Sequence, residues 1–445
     1  MATVFGTILA FVIVFGILVF IHEFGHFFVA KLVGIRVETF SFGYGKRLVG
    51  IRRKETDYRI SLVPMGGYVK FLGEGEARAE EKAKLPADHF MAKKRWQRFL
   101  VMVTGSVMNI ALAVVISTAI NMVGVDVPAY QDQKPVVGWI DPESPAQKAG
   151  FHLGDEILSI DNTKVITWSD VELTIGTKPD RLVMIEVRRN GDVLALELRT
   201  EKRTRYALGY AGFTGEFLTQ VRMVKPGSPA EKAGLRQGDV ILAVNGAPIY
   251  FYQFVGLIEK HAGQELEFLV NRQGERTTLR VTPQLEGKVG KIGIYQEPET
   301  VQKKYGLFAA IGQGLRENVR NAFLVIRFVK DLIVGQASTQ QLGGPLEIAS
   351  FSYAALQMGL LAMLSWIGFI SLQLGIINLF PIPVFDGGQI FVLAIEGLFR
   401  RDFSPRVRQI WMQIGFVIFI FLIVFIILND IVKRMPNGWE SLIPW

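Results

Sequence analysis

An apolar run over residues 4 to 21 leads without a break into His22-Glu23-Phe24-Gly25-His26 and continues to about residue 33. A segment of that length and character spans a bilayer as a helix, and ionisable side chains in such a segment mark a functional site. On a helix, residues four apart lie ~40° apart around the axis and about 6 Å apart along it, so His22 and His26 reach one Zn²⁺ while Glu23 addresses water at the metal. The chain has five histidines, and two of them flank a glutamate at this spacing. The plainer reading, two core histidines bonded to backbone carbonyls, requires that spacing to be an accident.

Half of the 445 residues are hydrophobic, which places the chain among multi-domain membrane proteins. Spans are expected at 4 to 33, 99 to 125, 354 to 380 and 410 to 428. The first lacks a basic n-region and a small-residue cleavage site before the motif, so it reads as a retained span rather than a signal peptide. Net charge is +8. Its placement argues against a nucleic-acid partner: Lys31 to Arg98 holds sixteen Lys or Arg between spans one and two, and Arg400, Arg401, Arg406 and Arg408 lie between spans three and four. Both connections are therefore expected in the cytoplasm, with residues 125 to 353 and both termini on the far side. With no cysteine, the chain has no disulfide and no thiolate metal site.

The far-side segment repeats itself. Ser144-Pro145-Ala146-Gln147-Lys148-Ala149-Gly150 recurs as Ser228-Pro229-Ala230-Glu231-Lys232-Ala233-Gly234, and Gly154-Asp155-Glu156-Ile157-Leu158 recurs as Gly238-Asp239-Val240-Ile241-Leu242. A shift of 84 residues with short β-rich runs indicates two tandem small domains. The shared pattern resembles bacterial PDZ domains, which bind peptide termini or extended segments at a sheet edge; unused grooves on spacer domains are the alternative. Tyr58 to Leu72 alternates apolar and polar residues around Pro64-Met65-Gly66-Gly67 and predicts a cytoplasmic, membrane-associated β-hairpin. Leu315, Val319, Phe323, Ile326, Val329 and Ile333 form one helical stripe, which suits either a helix in the membrane interface or an amphipathic helix packed on protein. Gly43-Tyr44-Gly45-Lys46 lacks the remaining features of a phosphate loop.

A hydrolytic zinc site takes three protein ligands and leaves a fourth position open. His89, His152, His261 and the acidic residues near spans are candidates for the third. His152 and His261 fall on the wrong side of the expected membrane, and His89 stands in a highly charged stretch. Asp386 fits better. It closes Asn378-Leu379-Phe380-Pro381-Ile382-Pro383-Val384-Phe385-Asp386-Gly387-Gly388 at the end of span three, at the depth where the histidines end span one. Two prolines break the helix there, and broken backbone at membrane depth is tolerated only where protein or a wet cavity surrounds it.

The HExxH motif in span one, the Asn378-x-x-Pro381-x-Pro383-x-x-Asp386-Gly387 motif after span three and two PDZ-like repeats between spans two and three together closely resemble bacterial site-2 proteases of the regulator of sigma-E protease type. The match covers essentially the whole chain. The resemblance implies that His22, His26 and Asp386 bind zinc, that Glu23 activates water, and that Asn378, Pro381 and Pro383 help hold substrate. It also implies that the hairpin engages unwound substrate and that the PDZ-like pair screens substrates. The chain departs from the family pattern at three places: Thr104-Gly105-Ser106 before Asn109, Gln373, and Gln389. None is a presumptive metal ligand.

The expected architecture is thus a multi-pass α-helical membrane protein of about four transmembrane helices with a β-hairpin and two α+β PDZ-like domains. Its parts are a membrane core over 1–126 and 354–445, PDZ-like domains at 127–204 and 205–290, and a linker with an amphipathic helix over 291–353. The expected activity is zinc-dependent endoproteolysis of transmembrane segments of single-span proteins, such as anti-sigma factors or signal-peptide remnants, in a bacterial inner membrane. The PDZ-like domains would be periplasmic and the active site near the cytoplasmic face. A PDZ-bearing membrane scaffold with a vestigial metal site is the rival, disfavoured because all three ligands and Glu23 are present. A zinc transporter fits less well, since no paired repeat of broken helices occurs.

Overall fold

The computed structural model describes residues 2–73, 85–203, 208–287 and 289–434. In chain order its helices are α1 (Ala2–Leu32), α2 (Arg95–Val123), α3 (Pro145–Lys148), α4 (Trp168–Gly176), α5 (Pro229–Lys232), α6 (Phe251–Lys260), α7 (Leu307–Ile333), α8 (Pro345–Met358), α9 (Leu360–Ile377), α10 (Asp386–Leu398) and α11 (Pro405–Val432). Strands β1 (Val37–Arg53) and β2 (Thr56–Phe71) stand between α1 and α2, and shorter strands fill much of 125–303. Two compact units result. One comprises Met1–Val123, Lys304–Val334 and Leu342–Trp445; the other comprises Gly124–Lys303 and Gly335–Gln341.

Among the described residues of the first unit, four helical segments are long and apolar enough to cross a membrane: Val4–Leu32, Arg95–Val123, Leu360–Ile377 and Arg406–Val432. The third is shorter than the expected 354 to 380. Gly359, at φ +104°, ends α8 and begins α9, a backbone conformation open to glycine and closed to most other residues. Small residues set the helix spacing. A Cβ at Gly25 would lie 2.7 Å from the carbonyl oxygen of Thr104, and one at Gly375 would lie 2.9 Å from that of Ser106, so α1 and α9 both press against α2. Without a hydrophobic drive between helices in lipid, such close backbone approach is what holds them together.

The β-hairpin differs from the expectation. The chain reverses at Lys54–Glu55, not at Pro64–Gly67, and β1 and β2 both bend so that the sheet has four segments. Residues 47–53 pair with 56–61, these pair with 39–42, and 39–42 in turn pair with 67–71. The bends fall at Gly43, Gly45 and Gly66, all at positive φ. The consequence is that 67–71 becomes an edge segment.

Helix α7 carries the predicted stripe, but that stripe is not its packed face. Leu315, Val319, Phe323, Ile326 and Ile333 are exposed, whereas Ala310, Gly314 and Asn318 are buried. Asn318 Nδ2 donates to Ser117 Oγ at 2.9 Å, and Gly314 has too little room beside Thr118 for a larger side chain.

In the second unit the 84-residue repeat becomes a repeated local structure. Ser144 and Ser228 cap α3 and α5, accepting from the backbone N–H groups of Gln147 and Glu231. Asp155 and Asp239 are fully buried, and Arg189 and Arg272 each clasp one of them with two hydrogen bonds of 2.7 to 2.8 Å. The same arginines bond the carbonyls of Gly150 and Gly234 at 2.8 Å. Hairpins turn at Asn190-Gly191 and Gln273-Gly274, both residues of each pair at positive φ, the geometry that matches strand twist. The expected division at 204/205 falls on residues 204–207, outside the described residues. Beyond it, Phe213–Thr214 pairs with Trp139–Ile140, and Ala211, Phe213 and Phe217 join Trp168 and Ile185 in the first repeat's core. The first repeat therefore runs to about Phe217. The second repeat likewise passes 290, because Ile294–Pro298 pairs with Thr219–Val224.

Candidate metal centre

Three polar atoms converge where α1, α2 and the start of α10 meet. His22 Nε2 lies 3.1 Å and His26 Nε2 3.4 Å from Oδ2 of Asp386, and the two Nε2 atoms are 3.2 Å apart. The helical spacing that suggested a shared metal thus brings the rings together, edge to face at 4.8 Å between centroids. Asp386 arrives by a different route. After α9 the chain turns through the two prolines, and Gly387 N–H donates to the carbonyl of Asn378 at 2.7 Å, closing the loop. Any Cβ at Gly387 or Gly388 would fall 2.2 Å from a loop carbonyl oxygen, so the double glycine lets the loop fold tightly onto the first turn of α10.

Zinc bound at ~2.0–2.1 Å by nitrogen and oxygen in a tetrahedron separates its ligand atoms by about 3.3 Å. The observed triangle of 3.1, 3.2 and 3.4 Å has that size. Two further features fit a cation. Oδ2 of Asp386 is buried without a well-formed hydrogen bond, facing the two ring nitrogens. Gly105 of α2 leaves the space beside them open, since a Cβ there would stand 2.3 Å from His26 Nε2 and 2.8 Å from His22 Cε1. The set of two imidazoles and one carboxylate is a hydrolytic zinc donor set.

Around this triangle lies a pocket of about 280 Å³ lined by Glu23, Tyr44, Tyr68, Val69, Asn378 and Gln389, among others. Glu23 is beside both histidines in sequence, and its Cγ would lie 3.3 Å from a Cβ at Gly67, so the edge segment of β2 packs close beside the centre. Tyr44 stacks on Tyr68 at 5.8 Å. Partial burial and then the charge of Glu23 raise the Tyr44 pKa, so its hydroxyl stays a neutral donor.

The structure separates the remaining candidates. His89 is buried away from the triangle: its Nδ1 accepts from Met91 N–H at 3.2 Å and its ring lies against Gly73. His152 and His261 belong to the other compact unit. Asn378 lines the pocket, whereas Pro381 is exposed and Pro383 is buried against Gly415 of α11; Val384 and Phe385 form the pocket wall instead. Sequence reasoning passed over Val101 and met Gly105 and Asn109 only in a departure from the family pattern, with no part in the site; all three meet the histidines from α2. Their spacing of four, in an apolar helix, was the available signal.

A profile of peptidase family M50 matches residues 10–422. The chain is 32% identical to "Protease RseP" of Yersinia pestis over 97% of its own length and 99% of that protein. It is also 32% identical to "Regulator of sigma-E protease RseP" of Escherichia coli, over 95% of this chain and 97% of that one. A PDZ domain of an SdrC-like protein from Listeria monocytogenes aligns with 19% of this chain and 90% of its own at 21% identity, with a TM-score of 0.17.

Proposed function

The chain belongs to peptidase family M50 and is a metalloprotease, and from that premise we propose that it cuts transmembrane segments of single-span membrane proteins inside the bilayer, in regulated intramembrane proteolysis. The observation that carries this reading is the triangle of His22, His26 and Asp386 among membrane helices, with Glu23 beside it.

Zinc, when bound, supplies a Lewis acid for the peptide carbonyl and for water. Glu23 takes the proton of the attacking water and returns it to the leaving amine. A substrate helix keeps its scissile carbonyl in an intrahelical bond, so the segment must first unwind. Residues 67–71 are the last segment of the β1–β2 sheet, beside the pocket, and an unwound substrate segment adding to that sheet would regain the lost bonds. Asn378 lines the same pocket and is suited to hold the chain there.

The name of the Escherichia coli relative, a regulator of sigma-E protease, supports anti-sigma factors as one substrate class; signal-peptide remnants are the other class of single-span substrate in this reading. The basic connections after α1 and after α10 support an inner-membrane orientation with the centre near the cytoplasm and the repeats in the periplasm. There the PDZ-like repeats bind peptide termini or extended segments and limit which substrates enter. The vestigial-scaffold reading has no observation in its favour.

The test is zinc content and cleavage of single-span reporters by the purified chain in detergent or lipid. Asp386→Ala should lower both; full occupancy with normal cleavage would remove Asp386 from the ligand set.

A further inference from the structure

One face of α2 meets both histidines. Val101, Gly105 and Asn109 recur every fourth residue, and α2 lies along α1 so that Val101 is opposite His26, Gly105 is opposite both rings and Asn109 is opposite His22. His26 Nδ1 donates to the Val101 carbonyl at 2.7 Å, which fixes the ring and leaves the Nε2 lone pair toward the triangle. Among the described residues no carbonyl takes that role for His22. Its Nδ1 instead faces the side-chain amide of Asn109, 3.4 Å from Nδ2. Asn109 is fully buried, its Oδ1 has no hydrogen-bond partner among the described residues, and its own backbone carbonyl is held by Ser371 Oγ of α9 at 2.8 Å.

We propose that Asn109 is a positioning residue for the metal centre: its Oδ1 accepts the Nδ1 proton of His22 and so leaves His22 Nε2 free to ligate. The inference rests on the reading of His22, His26 and Asp386 as metal ligands. A ligating Nε2 needs its proton on Nδ1, and a buried Nδ1–H needs an acceptor. With Nδ2 toward the ring, two donors oppose each other as soon as that proton is present. Rotating the amide by half a turn exchanges two ends of nearly equal size and brings Oδ1 to the ring nitrogen. This partner is available because α2 is anchored on both sides: Gly25 and Gly105 let it approach α1, and Ser371 holds Asn109's backbone from α9.

The test is zinc affinity of the full chain by chelator competition, with the thermal midpoint of the zinc-free protein alongside. Asn109→Leu fills the same space without an acceptor. Zinc affinity should fall about 10- to 100-fold, the usual effect of losing an outer partner of a ligating histidine, with the zinc-free midpoint unchanged or raised. Asn109→Asp keeps an acceptor and should hold zinc within a few-fold of the unaltered chain. Unaltered affinity in Asn109→Leu, with Asp386→Ala losing zinc, overturns the inference but leaves the ligand set standing. Equal loss of zinc and of zinc-free midpoint in both Asn109 variants also overturns it, making the residue a packing element. An unaltered chain that binds no zinc overturns the metal-centre reading itself.

Discussion

The carbonyl of Val101 on α2 accepts the Nδ1 proton of His26 on α1 at 2.7 Å, so the tautomer of a residue in the first span is set by backbone in the second. In their proposed role as metal ligands the histidines at 22 and 26 depend on α2, and the effects of changes in α2 follow from that dependence.

Gly105→Ala is expected to weaken zinc binding although it removes no polar group. The added methyl would stand 2.3 to 2.8 Å from ring atoms of His26 and His22, and both rings must turn away. Zinc per chain and cleavage should fall together, while circular dichroism remains that of the parent. A Gly105→Ala protein with full zinc would mean that the helices part at little cost.

Glu23→Gln separates binding from chemistry. It keeps shape and removes the proton acceptor, so zinc should remain stoichiometric while cleavage drops by about 10²- to 10⁴-fold. Retained cleavage would assign the proton transfer to another group in the pocket.

The repeats make a prediction about acid. Burial opposes the charge on Asp155, but the two bonds from Arg189 and the N–H of His152 win and hold its pKa below 3.8. A carboxyl depressed in the folded state adds stability that is complete above its unfolded value and is lost as pH falls through the lower, folded one. Protection of residues 155 to 160 in hydrogen exchange on the full chain should therefore hold down to about pH 4 and decline below it. Arg189→Ala, which strands a buried carboxylate, should cost about 3–5 kcal/mol at neutral pH and remove that acid transition. Unchanged protection in the variant would show that the pair contributes little.

Membrane packing is testable because the chain has no cysteine of its own. Ser117→Cys with Asn318→Cys should cross-link under mild oxidant or with a short bifunctional reagent, as the two side chains are in hydrogen-bond contact. Phe323→Cys, exposed on the other face of α7, should not cross-link to the same cysteine. Equal yields from both pairs would show that α7 has no fixed face toward α2.

Topology is open to the same approach. A single cysteine replacing Arg53 is expected to resist membrane-impermeant thiol reagents added outside intact cells, and one replacing Arg276 to react. The reverse pattern would invert the orientation drawn from the basic connections.

Much of this architecture follows from local patterns. Helical periodicity alone puts His22 and His26 on one face, apolar length alone marks the spans, and the 84-residue repeat alone announces two similar lobes with the same capped turns and the same buried aspartate. These are relations among residues close in sequence, or copies of one another, where spacing and chemistry dictate the outcome. Contacts between distant segments were decided only by packing. The hairpin turns at Lys54–Glu55 because the glycines at 43, 45 and 66 let both strands fold back, which no alternation of side chains foretells. Helix α7 meets α2 through Gly314 and Asn318 rather than through its apolar stripe, because a small residue and a side-chain hydrogen bond to Ser117 let the two backbones approach closely. The metal centre divides the same way. The proposed ligands stand in motifs legible in the sequence, whereas the groups that meet the two histidines from α2, Val101 and Asn109, lie more than seventy residues away, and that meeting depends on two helices packing at one rotation and one depth.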